Sequence, residues 1–225
     1  MPELLTIEQR DGYAVLTLNR PDKKNALSIQ LRDEISDTLA TLAGDETVSA
    51  VVFTGAGSVF CAGFDLSEFP RSFEDEEYAA RLWASSDRFH HAILRFPVPT
   101  IAAVNGPALA GGFDLAVLCD VRIASRNAGF AHPEFTFGDV VYAPLHDIVG
   151  GAVAREVCLT GRVLSAQEAL AVGLVSQVVA PDELMDAAMA VVERITAAPR
   201  QFLVRTKAKA IARAGIPAQT RTLDL

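Results

Sequence analysis

Cysteine is scarce in this sequence, and the few cysteines present do not stand at a spacing that would bind zinc or run a redox reaction. Cys61, Cys119 and Cys158 are far apart and form no Cys-x-x-Cys pair. An odd number of widely separated thiols does not make a disulfide framework. We therefore expect three buried free thiols.

Long hydrophobic runs are also missing. No apolar stretch reaches the roughly 20 residues that a membrane helix needs. The N-terminus, Met-Pro-Glu-Leu-Leu, lacks the basic start and the apolar stretch of a signal peptide. These absences predict a cytoplasmic protein with no membrane partner.

Basic residues are fewer than acidic residues. Lys and Arg total 20 against 28 Asp and Glu, which gives a formal net charge of −8. A general attraction to nucleic acid is therefore not expected, and an anionic ligand has to be held by local groups. Because 50% of the residues are hydrophobic and only 21% are charged, the chain can bury one full core, which excludes disordered and fibrous classes.

Several motifs of common enzyme classes are absent. The sequence has no Gly-x-x-x-x-Gly-Lys-Ser/Thr loop, no His-Glu-x-x-His pair and no Gly-x-Ser-x-Gly elbow. The segment 54–60 begins like a dinucleotide-binding fingerprint but lacks its third glycine. His90 and His91 fall inside a predicted helix, and His132 and His146 have no partner at ligand spacing, so we expect no metal site.

The apolar pattern predicts an alternation of strands, glycine-containing loops and helices. The dipeptide Asp11-Gly12 predicts a hairpin turn, Ser28 is a plausible N-cap, and Ser165 begins a capping box with Glu168. Strands are predicted at 4–10, 13–19, 50–53, 101–104 and 174–179, and helices at 28–44, 74–93, 165–173, 182–197 and 201–214.

Two glycine-containing loops are similar in sequence. Ala62–Leu66 and Gly111–Leu115 each follow a buried strand, which predicts stacked, similar turns. Backbone N–H groups in such loops can point at one carbonyl oxygen and stabilise negative charge on it, forming an oxyanion hole. Glycines after strands are also common in ordinary tight turns, and that interpretation stays open.

Two acidic residues lie in apolar stretches. Asp114 stands between Phe113 and Leu115, and Glu134 follows Pro133 in a phenylalanine-rich segment. Carboxyl groups in such surroundings suit general acid–base chemistry. Each could equally be a paired or capping structural acid.

At these residues the sequence resembles the crotonase, or enoyl-CoA hydratase/isomerase, superfamily. The resemblance runs through most of the chain, in the segments Leu18-Asn19-Arg20-Pro21, Asn25-Ala26-Leu27, Phe60 to Leu66, Ile101 to Gly106, Ala116 to Asp120, Leu159-Thr160-Gly161 and Gly173-Leu174-Val175. It implies an α/β fold, a crotonase-like spiral of repeated ββα turns with C-terminal helices. We expect a spiral core at 1–180 and an abbreviated helical segment at 181–225.

The resemblance also implies an acyl-CoA thioester as the substrate, no cofactor beyond the CoA that is part of it, and assembly into a homotrimer or a hexamer. The N–H groups of Phe64 and Gly111 match the oxyanion donors. Glu134 matches the principal acid/base, and Asp114 lies where hydratases carry a second glutamate.

A further set of residues matches the substrate-binding positions of the family. Four of them correspond to the pocket for the CoA nucleotide, two lysines are placed to meet phosphates, and a tyrosine could shape the acyl pocket. The residues of the nucleotide pocket are Ala26, Ala62, Asp65 and Leu66. The lysines are Lys23 and Lys24, and the tyrosine is Tyr142.

Three departures from the family pattern affect the expected activity. Asp114 is one methylene shorter than glutamate, the segment 138–144 replaces a Pro-Gly-rich one, and the chain stops at Leu225 before the helices that usually cover the CoA site and support trimer contacts. We expect a hydratase. The alternatives are a Δ3,Δ2-enoyl-CoA isomerase that uses Glu134 alone, a non-catalytic acyl-CoA-binding protein, and a hydrolase or decarboxylase that shares the enolate chemistry.

Overall fold

The computed structural model describes residues 3–225. Met1 and Pro2, on which part of the signal-peptide argument depends, lie outside the described residues. The strands are β1 (Leu5–Arg10), β2 (Tyr13–Leu18), β3 (Ala50–Gly55), β4 (Thr100–Val104), β5 (Ala108–Leu109), β6 (Val121–Ser125), β7 (Gly129–Ala131), β8 (Leu164–Ser165) and β9 (Gln177–Val179). The helices are α1 (Ile29–Gly44), α2 (Phe69–Ser72), α3 (Glu76–Leu94), α4 (Gly111–Leu118), α5 (Ala143–Thr160), α6 (Ala166–Ala171), α7 (Leu184–Thr196) and α8 (Arg200–Ala214).

One sheet of six strands, in the order β1-β2-β3-β4-β6-β9, forms the frame of the fold. The β1–β2 hairpin is antiparallel, and Gly12 at its turn has a φ of +88°. The other neighbouring strands are parallel. Parallel neighbours need a crossover connection, and the helices that follow each strand supply it.

Both faces of this sheet are covered, because consecutive side chains of a strand point in opposite directions. Val51 and Phe53 of β3 pack into the larger core. Ala50 and Val52 of the same strand pack into a smaller core on the other face, together with Leu184 of α7.

A second layer of short backbone segments builds up beside the sheet. Leu27 follows β2 and bridges to Phe64, which follows β3; Cys61 bridges to Ala108 of β5. In turn, β5 pairs with β7. Each turn of the chain thus contributes one long strand, one short strand segment and then a helix, as the predicted ββα repeat requires.

The predicted elements are present with ends within about two residues of those observed, with one exception. Ser28 caps α1 through its side chain, and Ser165 and Glu168 form the capping box of α6. The strand predicted at 174–179 covers only Gln177–Val179. The N–H groups of Leu174 and Val175 instead donate to the carbonyl of Ala169, because the turn that closes α6 takes them up.

The C-terminal helices pack on this frame. The buried Lys207 of α8 contacts Asp120 Oδ2 at 2.5 Å, beyond the end of α4. The boundary at residue 180 falls directly after β9 and stays a prediction. Among residues 3–225, no helix combines the length and apolar character needed to cross a bilayer, and the cytoplasmic location also stays a prediction.

Candidate active site

Three successive turns of the second layer bring the candidate residues together. Phe64 follows the segment at Cys61, Gly111 begins α4 directly after β5, and Glu134 follows β7. Leu109 N–H donates to the Cys61 carbonyl, and Ala110 N–H donates to the Ala131 carbonyl, both at 2.9 Å. The two predicted glycine loops therefore do stack.

The two candidate oxyanion donors lie next to each other. Leu27 N–H donates to the Gly63 carbonyl, and Asp65 N–H donates to the Leu27 carbonyl. The Phe64 N–H, between these two bonds, therefore points away from the Leu27 segment. Gly111 is the first residue of α4, where a helical N–H has no partner in its own helix. Within residues 3–225 neither N–H meets a hydrogen-bond acceptor.

Glycine is required where these loops touch. A Cβ placed on Gly63 would lie 2.7 Å from the Ala110 Cβ and 3.2 Å from the Gly111 nitrogen. A Cβ on Gly112 would lie 2.7 Å from the Cys61 Cβ and closer still to the Cys61 carbonyl oxygen. Beside them, Ala110 has φ 51° and ψ −130°, a region that costs a non-glycine residue on the order of 1–3 kcal/mol.

The two predicted acids converge on one imidazole. His132 Nδ1 lies 2.9 Å from Glu134 Oε1 and 3.9 Å from Asp114 Oδ1. Asp114 is buried, and the side chain of Glu134 is 14% exposed. One buried polar atom of each group has no hydrogen-bond partner among the described residues: Asp114 Oδ1, His132 Nε2 and Glu134 Oε2.

A second histidine holds the other oxygen of Asp114. His90 Nε2 lies 3.4 Å from Asp114 Oδ2, and His90 Nδ1 lies 2.8 Å from the Ser86 carbonyl. A carbonyl only accepts, so Nδ1 carries a hydrogen. The contact between Nε2 and Oδ2 is then attractive only when a proton lies on one of the two atoms.

The electrostatics of the cluster favour a charged His132. Burial alone would lower the pKa of His132, but the hydrogen bond to Glu134 and the charges of Asp114 and Glu134 outweigh it, so the pKa is raised. Within residues 3–225, no group of three or more His, Cys, Asp or Glu side chains is arranged to hold a metal ion.

The residues matched to the CoA nucleotide pocket form a second cluster. Arg20 contacts Asp65 Oδ2 at 2.9 Å and donates to the Ala26 carbonyl. The N–H of Ala62 donates to the Lys24 carbonyl at 3.0 Å. Burial raises the pKa of Asp65, yet hydrogen bonds from Ser67 and Arg20 lower it by more, so its net pKa is lowered.

The other predicted binding residues are placed differently. Lys23 and Lys24 are exposed on the loop that carries Ala26, and Leu66 is 65% exposed beside Asp65. Tyr142 is half-buried before α5, where its ring packs against His146 at 5.5 Å. The structure therefore places the lysines and Leu66 beside the residues of this cluster in the chain.

The predicted state of the cysteines is confirmed. Cys61, Cys119 and Cys158 are free and buried. Burial raises the pKa of Cys61 and Cys119 to about 12 and that of Cys158 to about 11. All three thiols are therefore neutral at physiological pH.

Sequence reasoning missed four residues of the site. His132 and His90 carry no signal at metal-ligand spacing, and only the fold brings them to Asp114. Arg20 and Asn25 stood in the resemblance motifs without a role. The buried Asn25 side chain donates to the carbonyls of residues 56, 59 and 60, and so ties the lysine loop to the loop after β3.

Comparison with known proteins identifies the family of this chain. A family model described as enoyl-CoA hydratase/isomerase matches residues 8–225. A protein of Rhizobium meliloti described as a probable enoyl-CoA hydratase is 39% identical over 197 residues, which are 86% of this chain and 75% of the relative.

Solved structures give the same result for the fold. An enoyl-CoA hydratase from Bacillus anthracis superposes with a TM-score of 0.88 at 30% identity, covering 97% of this chain and 86% of that one. A structure from M. smegmatis described as a monofunctional enoyl CoA isomerase superposes with a TM-score of 0.81 at 30% identity, covering 95% and 94%. The predicted crotonase-like α/β fold is confirmed.

Proposed function

The chain belongs to the enoyl-CoA hydratase/isomerase family, and we propose that it adds water to the C2–C3 double bond of a 2-enoyl-CoA thioester. One observation carries this proposal. The carboxylates of Asp114, on the helix that Gly111 begins, and of Glu134, after β7, approach the same imidazole nitrogen at 3.9 and 2.9 Å. Hydration needs two groups that handle protons beside one site that stabilises an enolate.

The oxyanion hole is the first part of the mechanism. The N–H groups of Phe64 and Gly111 donate to the thioester oxygen as it becomes an enolate. Removing one such donor costs roughly 10²–10³-fold in turnover in comparable sites. Their lack of an internal acceptor within residues 3–225 supports this assignment.

Proton transfer is the second part. Asp114 and Glu134 orient a water molecule, remove its proton and direct the hydroxide to C3, and Glu134 delivers a proton to C2. Each carboxylate has one buried oxygen without a partner among the described residues, Oδ1 and Oε2. These are the atoms left to contact water and substrate.

Binding of the CoA portion is the third part. Asp65 and the loop at Ala26 are held by Arg20, and the exposed Lys23 and Lys24 stand on the same loop. Their ammonium groups are available to phosphate oxygens, which bind cations through charge-assisted hydrogen bonds. Assembly into a homotrimer or hexamer is a prediction from the family, and light scattering tests it.

Isomerisation of a 3-enoyl-CoA is the second candidate. His90 already contacts Oδ2 of Asp114 at 3.4 Å, and aspartate reaches one methylene less far than glutamate. Both facts favour chemistry in which Glu134 alone moves a proton from C2 to C4.

Two variants separate the candidates. We expect Glu134→Gln to abolish both reactions while the affinity for butyryl-CoA, measured by calorimetry, stays within about twofold. Asp114→Asn should lower hydration of crotonyl-CoA by about 10²-fold or more and spare isomerisation, because a positioned acid or base contributes about 10²–10⁴-fold. Asp182→Asn, at an exposed aspartate before α7, is the matched control.

The activities of these variants distinguish the candidate functions. Unchanged hydration in Glu134→Gln contradicts its role as the acid/base. An Asp114→Asn variant that keeps both reactions reduces Asp114 to a structural acid and favours the isomerase. Wild-type protein that binds butyryl-CoA and converts neither enoyl-CoA is either a binding protein or an enzyme that acts on another substrate, such as the hydrolase or decarboxylase named above.

A further inference from the structure

His132 is a fully buried polar group beside the two acids. It follows β7, has no exposed surface, and packs its ring against Phe113 with 4.7 Å between ring centroids. Pro133 alone separates it in sequence from Glu134. The imidazole is therefore held in place by the same turn that carries the proposed acid/base.

The contact between His132 and Glu134 defines where a proton lies. His132 Nδ1 is 2.9 Å from Glu134 Oε1, which is a hydrogen-bond distance. An ionised carboxylate only accepts, and a neutral imidazole nitrogen without hydrogen also only accepts. One hydrogen therefore lies between these two atoms, and the contact is a hydrogen bond that links the two side chains.

The surroundings determine which charge state is stable. Asp114 from α4 faces the same nitrogen at 3.9 Å, and His90 from α3 contacts the far oxygen of Asp114. Burial, followed by the charges of Asp114 and Glu134, raises the pKa of Cys158 from α5 to about 11, so this thiol is neutral. Two carboxylates beside one imidazole favour the imidazolium form, in agreement with the raised pKa of His132.

We propose that His132 and Glu134 act as one proton-sharing pair, with His132 as a positioning residue that holds Glu134 by Oε1 and leaves Oε2 free for the substrate proton. Glu134 Oε2 has no partner among the described residues. The geometry therefore assigns Oε1 to the contact with His132 and Oε2 to the substrate. This inference rests on the proposed function in one respect, the role of Glu134 in proton transfer.

Kinetic measurements test the positioning role. His132→Asn keeps an amide donor near the place of Nδ1 but cannot carry a positive charge, and His132→Leu removes both. We expect His132→Leu to lower kcat by about 10²-fold with little change in KM, since a misplaced catalytic group costs about that much. We expect an inflection above pH 6.5 in the wild-type kcat profile, and His132→Asn should recover most of kcat and lose that inflection.

His91→Asn is the matched control, because it makes the same exchange at a histidine of α3 that contacts the Thr220 carbonyl instead of a carboxylate. We expect it to leave both kcat and the pH profile within about twofold of the wild type. A folded His132→Leu with wild-type kcat overturns the proposal, as does an inflection that persists in His132→Asn.

Nuclear magnetic resonance tests the pair without any turnover. The imidazole signals of the full chain are titrated, and the His132 signal is assigned by its absence from His132→Asn. In the wild type His132 should titrate above the ordinary value of 6.5, and Glu134→Gln should move that titration to lower pH. An unmoved titration refutes the pair.

These two measurements keep the inference apart from the proposed function. If the wild type converts neither enoyl-CoA, the proposed function fails, while the titration still decides whether His132 and Glu134 share a proton. If the wild type is active and Glu134→Gln leaves the titration unmoved, only the pair fails.

Discussion

Gly112→Ala is the substitution that tests most sharply how the two donor loops are held together. The new Cβ would lie 2.7 Å from the Cys61 Cβ and nearer still to the Cys61 carbonyl oxygen. Ordinary contact begins at 3.4 Å, so the start of α4 has to move by about 1 Å relative to the Cys61 segment. No side chain of the site is altered, which makes the effect purely steric.

The structure sets the size of the effect. Overpacking of this kind costs about 1–3 kcal/mol, and we expect the upper end because two backbone-linked atoms of Cys61 obstruct the methyl group. For a chain of this length about 3 kcal/mol lowers Tm by roughly 6–12 °C. A displacement of about 1 Å of the Gly111 N–H and of Asp114 should lower turnover on the order of 10²-fold.

Thermal unfolding and kcat for crotonyl-CoA hydration measure both effects. Gly44→Ala is the control, because it makes the same change at the last residue of α1, where a Cβ meets nothing within 4 Å. Alanine there should leave turnover unchanged and add up to about 1 kcal/mol of stability. A Gly112→Ala variant with wild-type Tm and turnover would refute the reasoning about the close approach of the loops.

Two further predictions concern strain and thiol reactivity. Ala110→Gly should raise the free energy of unfolding by about 1 kcal/mol, because glycine tolerates φ 51° and ψ −130° without the cost that alanine bears. Chemical denaturation measures this change, and a loss of stability would contradict the prediction. The native protein should not react with Ellman's reagent until it is unfolded, since burial keeps Cys61, Cys119 and Cys158 neutral and shielded. Rapid labelling of a thiol in the native protein would contradict the burial of these side chains.

Local patterns in the sequence were sufficient for most of the fold. Strand alternation, the Ser28 cap and the Ser165 capping box depend on neighbours within a few residues, and each is present as predicted. The strand predicted at 174–179 was too long because Leu174 and Val175 bond back to Ala169 in the closing turn of α6. Apolar composition alone does not reveal that competition.

The candidate site was predictable only in part. Glycine loops and the acids Asp114 and Glu134 carry local signals, so the sequence indicates them. His132 contacts Glu134 within its own turn at 2.9 Å, but its approach to Asp114 at 3.9 Å and that of His90 to Asp114 at 3.4 Å join different elements of the fold. The two contacts to Asp114 do not follow from residue spacing along the chain, because they depend on how β5 pairs with β7 and how α3 packs against α4.

The most direct test of the account is to incubate the wild-type protein with crotonyl-CoA in deuterated water and to analyse the products by mass spectrometry. We predict 3-hydroxybutyryl-CoA with one deuterium bound to C2, since Glu134 delivers a solvent-derived proton there. A parallel incubation with a 3-enoyl-CoA serves as the comparison. Conversion of the 3-enoyl to the 2-enoyl ester with no hydration of crotonyl-CoA would contradict the hydratase assignment.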